Sequence, residues 1–247
     1  MAGLDRLAMR LLLVVVASDA ACTAAGAEET ARPNPFAGRS YFYSGVDVAR
    51  DTSYGWAGAA WSPFGLMEEE GFRLRAQGGG GRYSYRTDDV PGGWNSASKL
   101  EGEVLAGWQF LAGGHALAIY GGVNVRQDTL DRPDPSNRDQ GSHVGIKGVV
   151  EWFYRPAPDW VASAAAGAST ADETASARAS LGRRLNEHIE LGTEATGYTD
   201  WFSNTAGAGL YIANPLPGRQ WRLAGGWRWS SDSPDGAYGT LSFYAPF

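Results

Sequence analysis

The sequence predicts an all-β fold, a closed antiparallel transmembrane β-barrel of about twelve strands in a bacterial outer membrane, preceded by a cleaved signal peptide. Three observations point there. From Arg39 onward the chain is a succession of segments with period-two alternation of apolar and polar residues. Many of these segments carry aromatic residues near their ends. The chain also opens with an export signal.

The export signal reads from the first residue. Arg6 and Arg10 form a weakly positive start, Leu11 to Ala17 an uninterrupted apolar run, and Ala25-Gly26-Ala27 a small-x-small cleavage site. The signal is therefore expected over 1–27, a periplasmic linker with Pro33 and Pro35 over 28–38, and the barrel over 39–247. The apolar run is too short for a helix crossing a bilayer, which needs ~20 residues. Asp19, three residues before Cys22, argues against a lipoprotein cysteine, and Cys22 is expected to leave with the signal.

Composition narrows the class. With 34 Gly, 10 Trp and 11 Tyr the chain is rich in poor helix formers, and aromatics at 12% exclude a disordered composition. Net charge is −6, with no basic run, so nucleic acid is not expected as a partner. One cysteine excludes an intrachain disulfide framework and a Cys-rich metal site. Nothing calls for a cofactor.

Strands are expected near 40–49, 53–62, 71–86, 98–111, 116–128, 140–153, 160–169, 174–185, 188–198, 202–213, 220–230 and 236–247. The stretch 99–111 shows the pattern: Leu100, Val104, Ala106, Trp108 and Phe110 on one face, and Lys99, Glu101, Glu103 and Gln109 on the other. Numbered along the chain, the third, fifth, ninth and eleventh connections are long, polar and Asp-bearing, whereas the fourth, sixth and eighth are short; the second and tenth are longer than this rule wants. Outer-membrane barrels with both ends in the periplasm have short periplasmic turns and longer outer loops. The apolar face, including Val46, Leu100, Val104, Ile119, Ile146, Leu181, Leu191, Leu223 and Leu241, is assigned to lipid. A charge at Val104 should then be costly and Glu103→Arg mild. Pairs such as Tyr41 and Phe42, Trp56 and Trp61, and Trp152 and Phe153 are read as interfacial girdles.

The last strand places Gly239, Leu241, Phe243, Ala245 and Phe247 on one face. Leu241, Phe243 and Phe247 resemble the terminal-strand signal read by the outer-membrane assembly machinery. Pro246 departs from that pattern and is tolerable only at a strand end.

The polar face carries Asp47, Arg73, Arg75, Glu101, Glu103, Lys147, Glu151, Arg178, Glu190, Glu194, Arg222 and Arg228. Mixed signs on adjacent strands can pair into a plug or line a small pore. The plug is favoured, because twelve strands leave a modest interior. Other constellations carry less. Gly78 to Gly81 lacks the Gly-Lys-Ser/Thr of a phosphate loop and reads as a bend covered by neighbouring aromatics. No spacing builds a triad on His115, His143 or His188, although His143 lies beside Ser142. Asp128, Asp131, Asp134, Asn137 and Asp139 supply oxygens for Ca²⁺, but Pro133 and Pro135 interrupt them and a solvated acidic loop is favoured.

In order along the chain, Ser44-Gly45-Val46-Asp47, GFRLRAQGGGGRYSYR from Gly71 to Arg86 and Val90-Pro91-Gly92-Gly93 come first. Gly107-Trp108-Gln109 and YGGVNVRQDTL follow, then Pro133, Asp134, Pro135 and Asn137, and Gly141 with Gly145-x-Lys147. Asp235 to Leu241 closes the series. Together these resemble the bacterial cellulose biosynthesis protein BcsS family across nearly all of the mature chain. The resemblance implies an outer-membrane barrel linked with cellulose production and secretion, without an assigned active site. Expected partners are outer-membrane lipid, the assembly machinery, and components of the cellulose-synthesis complex or glucan. A small porin-like channel is the alternative, and a lipid-modifying hydrolase a third reading.

Overall fold

The computed structural model describes residues 36–171, 173–201, 203–214 and 220–247. The expected signal peptide, its cleavage site, Cys22 and the linker as far as Pro35 lie outside the described residues, as does Phe202.

Twelve strands follow one another: β1 Ser40–Ala49, β2 Thr52–Trp61, β3 Gly71–Arg86, β4 Trp94–Ala112, β5 His115–Leu130, β6 Gly141–Ala157, β7 Trp160–Ser169, β8 Thr174–Arg184, β9 Glu190–Thr199, β10 Asn204–Asn214, β11 Gln220–Ser230 and β12 Gly236–Pro246. Each pairs antiparallel with its sequence neighbours, and β12 returns to β1 to close the barrel. The seam runs from Tyr41↔Pro246 to Ala49↔Tyr238. Phe247 N–H donates to the Ser40 carbonyl at 2.9 Å, and Gly38 N–H to the Phe247 carbonyl at 2.5 Å. The β11–β12 ladder ends at Gln220↔Tyr244. Backbone groups alternate sides along a strand, so Phe247 bonds toward β1 while Pro246 turns away from it. The missing proline N–H therefore costs the seam with β1 no bond.

Strand number and order agree with the expectation, but β4, β5 and β6 are longer. Residues expected in polar outer loops continue the ladders instead: Tyr85↔Asn95 and Arg86↔Trp94 extend β3–β4, and Ala97↔Leu130 extends β4–β5. Their side chains support the extension, since Ser84 and Ser96 share a hydroxyl hydrogen bond of 2.9 Å. The connections keep only part of the expected alternation. The third, 87–93, and fifth, 131–140, are long, but the first, 50–51, is tight, and the second, 62–70, is long for an even-numbered turn. The fourth is the two-residue hairpin turn Gly113-Gly114, with φ of 54° and 83°. Positive φ at both central positions is what a type I′ turn requires.

Burial follows the period of two. Leu100, Val104, Ile119, Ile146, Leu181, Leu191 and Leu223 are exposed on the outer wall, Ile146 at 70%. A belt of exposed large apolar side chains around a closed sheet belongs in hydrocarbon, where no lipid-facing edge can be left unpaired. The buried residues lie on the lumen side, among them Leu105, Ala118, Tyr120 and Val149.

Tryptophan and tyrosine separate by face, which the girdle reading of the sequence does not foresee. Trp61, Trp108, Trp160 and Trp221 are exposed toward the end that carries Ser40 and Pro246; Trp227 and Trp229 are exposed toward the other. Tyr85, Tyr120, Tyr211 and Tyr238 are buried in the lumen. Tyr41 and Tyr43 share the inward parity of Asp47, opposite Phe42. Trp56 also faces inward, stacked on Tyr54 at 6.3 Å, so it is not a girdle residue. A Cβ at Gly45 would overlap the Trp56 ring, and one at Gly79 the Tyr54 ring. The glycines of one strand are thus the seats of aromatic rings from the next.

Val104 sits near the middle of β4 and is 59% exposed to the outside. Val104→Arg is expected to destabilise the folded barrel by ~2–4 kcal/mol, the cost of a cation near the bilayer midplane. Ser176→Arg, in the lumen wall of β8, is expected to be far milder. Refolding titrations into lipid vesicles compare the two, and equal losses would mean that the faces are assigned wrongly.

Candidate functional site

The candidate site is the lumen, which the alternation of β4 begins to build. Lys99, Glu101 and Glu103 stand two residues apart and so point to one face. On β6, Lys147 and Glu151 face them, and on β3, Arg75. Lys147 Nζ lies 3.0 Å from Glu101 and 2.5 Å from Glu103. Arg75 lies 3.0 Å from Glu103 and 2.6 Å from Glu151, and Lys99 lies 3.5 Å from Glu101. The six form a chain of alternating sign: Lys99, Glu101, Lys147, Glu103, Arg75, Glu151. Lys147 reaches over β5, where its register partner is Gly122. Glu103, 1% exposed in its side chain, is the hub.

The sequence expectation for Glu103 changes accordingly. A solvated lumen would make Glu103→Arg mild, but the substitution would put a third cation between Arg75 and Lys147. Lumen-facing and solvated are different conditions here.

A second cluster joins β8, β9 and β11. Arg178 and Arg222 each lie 2.8 Å from Glu194, and Tyr238 donates to the same carboxylate at 2.8 Å. Arg222 lies over the Tyr211 ring at 3.7 Å, Tyr211 donates to Glu190 at 2.9 Å, and Arg184 approaches Glu190 at 3.6 Å. In a third cluster Arg228 makes paired hydrogen bonds of 2.9 and 3.0 Å with Asp47, which also accepts from Thr240 at 2.7 Å.

Arg73 stands apart from these ion pairs. It donates to Ser62 Oγ at 2.9 Å and to the carbonyls of Leu66, Met67 and Glu69, with Gln109 donating to the last two as well. It binds the 62–70 connection to the barrel wall.

Sequence reasoning passed over Arg126, which is buried and lies 2.5 Å from Asp128 and 3.4 Å from Asp139. Its inward parity with Asn124 and Asp128 was the available signal. The oxygens considered for Ca²⁺ are engaged by protein donors. Tyr83 donates to Asp128 at 2.9 Å, Tyr85 to Asp134 at 2.9 Å, Asp139 N–H to Asn137 at 2.9 Å, and Arg82 pairs with Asp131 at 2.6 Å. Ser142 and His143, being adjacent in β6, point to opposite faces. His115 lies outside in a stack with Tyr154 at 3.8 Å, and its Nδ1 accepts from Trp152 at 3.2 Å.

Two cavities open along the lumen. One of about 430 Å³ lies toward the 87–93 and 131–140 connections and includes Tyr54, Lys99, Lys147 and Tyr198 in its lining. The other, about 290 Å³, lies toward the opposite end beside Tyr41, Ala118 and Ala165. Inward residues of β7 are small there, Ser163 and Ala165, which accounts for the space. Between the two levels lie Arg75 with Glu103 and Arg222 with Glu194. Arg75 sits between the Tyr43 and Tyr120 rings, at 5.7 and 5.8 Å from their centroids.

A closed antiparallel barrel with an apolar outside, aromatic belts at both ends and a charged interior defines the class: this is an outer-membrane β-barrel. The KdgM porin superposes with a TM-score of 0.51 at 6% identity, over 84% of this chain and 99% of that one. The translocator domain of the autotransporter NalP from Neisseria meningitidis does so at 0.50 and 14%, over 98% and 95%. At such identities the likeness is one of fold. No curated protein matches the sequence. Residues 41–247 match the family described as cellulose biosynthesis protein BcsS. The chain belongs to that family and is an outer-membrane barrel associated with cellulose biosynthesis.

Glu194 is fully enclosed and holds two arginines, so Glu194→Ala would leave both without their counter-ion. Destabilisation of about 3–5 kcal/mol is expected in urea titrations of the refolded barrel, as for other broken buried pairs. A loss within 1 kcal/mol of the parent would mean that water already carries the charge there.

The 131–140 connection should respond to acid. Burial alone would raise the Asp134 carboxyl, but hydrogen bonds from Ser136, Tyr85 and Thr87 outweigh it and hold the group below its ordinary 3.8. A depressed folded-state value means stability that is present above 3.8 and lost as pH falls through the lower value. Proteolysis of this connection should accelerate only below about pH 4, and in Tyr85→Phe the onset should move upward. An onset near neutral pH would exclude Asp134 as the latch.

Proposed function

We propose that the protein is a non-enzymatic accessory of cellulose export, a barrel standing at the outer-membrane exit with its lumen filled instead of conducting. The observation that carries this reading is the ion-paired, tyrosine-flanked layer between the two cavities. Every lumen carboxylate expected from the sequence has at least one cationic partner. An open channel needs mobile water along its axis, whereas these pairs reach inward past intervening strands: Arg75 of β3 bridges to β6, and Arg228 of β11 to β1.

The non-enzymatic reading is supported by the placement of the histidine and hydroxyl groups. A nucleophile and its base must lie within hydrogen-bond reach, and Ser142 and His143 point apart. The face shared by Leu241, Phe243 and Phe247 is proposed as the assembly signal, and Phe247 has a second task, bonding the seam to Ser40 and Gly38.

Planar-bilayer recording of the refolded protein tests the filled lumen. Silence or rare flicker is expected from the native protein, and stepwise conductance from Glu103→Ala with Glu194→Ala. A steady open level in the native protein would favour the small porin. Deleting the gene should lower cell-surface cellulose with synthase activity in the inner membrane retained. Unchanged cellulose would exclude the accessory role.

A further inference from the structure

The larger cavity is a cup closed on one side by the ion-paired layer. Its floor holds Lys99, whose Nζ lies 5.9 Å over the Tyr54 ring and 5.8 Å over the Tyr198 ring. Tyr54 belongs to β2 and Tyr198 to β9, on opposite sides of the barrel. A cation over both rings fixes their orientation: each turns a face toward the lumen axis, and a sugar stacking there takes the place of the Lys99 ammonium, leaving Glu101 paired with Lys147. We propose that this cup binds a short segment of a neutral β-linked glucan, its sugar rings stacked on Tyr54 and Tyr198; the assignment rests on the cellulose-associated reading above.

Charge argues for a neutral ligand. Six acidic and six basic side chains line the cup. Those in the floor and inner wall are paired, Lys99 and Lys147 with Glu101, and Arg228 with Asp47. An anionic polymer would have to break such pairs to be neutralised. A polyhydroxylated ligand displaces at most Lys99 and bonds to the outer oxygens and nitrogens of the other pairs without separating them. Asp51 adds an acceptor of its own. It lines the cup, and among the described residues its Oδ2 is buried with no hydrogen-bond partner. Buried polar atoms are ordinarily satisfied, and a ligand hydroxyl is a donor of the right kind. Ser53 and Thr196 supply further hydroxyls in the wall.

Size and shape agree. About 430 Å³ falls within the range of small-ligand sites, and aromatic faces with a few placed polar groups are the usual lining. The filled layer below makes the cup a holder of a chain end and not a stage in its passage.

The test titrates cellotetraose into the full-length protein refolded in detergent, read by calorimetry. Saturable binding is expected, insensitive to added salt. Tyr54→Ala and Tyr198→Ala should each weaken it by about tenfold. Trp227→Ala, on the lipid face, should leave it unchanged. Heat-modifiable gel migration confirms that each variant is folded, and Tyr198→Leu keeps the volume should the alanine variant not close. Absence of binding by the folded native protein overturns the proposal, as does unchanged affinity in both tyrosine variants. Equal affinity for maltotetraose overturns the β-linkage, and tighter binding of an oligogalacturonate overturns neutrality. A failed titration leaves the cellulose-associated reading intact, because surface cellulose in the deletion strain is measured independently.

Discussion

In hydrocarbon a backbone N–H or C=O has no water to bond, and each group left alone costs several kcal/mol. Everything else in this molecule follows from that. The chain must close on itself, so its last strand returns to its first, and Phe247 completes the ladder to Ser40. Closure then fixes two faces, and the period of two divides every strand between lipid and lumen. Proline is admitted at position 246 because the alternation of backbone bonds turns it away from the seam. Arg155-Pro156 of β6 sits where the register with β7 is interrupted, between Tyr154 and Ala157. Pro156 thus falls where a ladder bond is already missing, and Pro246 where the seam with β1 does not call for one.

Once the lumen is enclosed, its charges become the second constraint. Glu103, Glu194 and Asp47 each accept from two or more donors, and each joins strands that are not neighbours. Such hubs brace strands two or three places apart around the barrel. Tyrosine suits this interior because its ring covers glycine on the next strand while its hydroxyl reaches a carboxylate, as Tyr211 does over Gly192 and with Glu190. Tryptophan, with one N–H and a larger apolar ring, goes to the membrane interface. The two residue types look alike in a composition count, yet tryptophan mostly faces lipid and tyrosine mostly the lumen, with Trp56 and Tyr154 on the other side.

The strand count, the order of strands and the lipid face were legible because they follow from local alternation. The family was legible from the order of its pieces. What escaped was whatever depends on partners distant in sequence. Asn95 and Ser96 read as loop residues because they are polar, and only Tyr85, Ser84 and the Arg132 carbonyl make a strand of them. Arg73 carries the same charge and parity as Arg75 two residues on, yet one holds a turn and the other an ion pair. Position along the barrel axis decides between them, and axial height is set by register, which period-two patterning does not report. Trp56 and Tyr41 were misplaced for a simpler reason. Each was grouped with a neighbour of opposite parity, or with strand ends, without asking which face it shared.

The unequal strand lengths give the cylinder a direction. β3 to β6 have 16, 19, 16 and 17 residues, and the other eight have 10 or 11. Gly141–Ile146 of β6 continue past Lys147↔Ser169, the last paired position with β7. At ~3.3 Å per residue the wall on that flank stands roughly 10–20 Å taller. The rim is cut obliquely, with a high back formed by β3–β6 and a low lip along β7–β12 and β1. Anything that meets this rim is shielded on the β3–β6 flank and open on the other, so the barrel offers its surroundings one sheltered side and one accessible side.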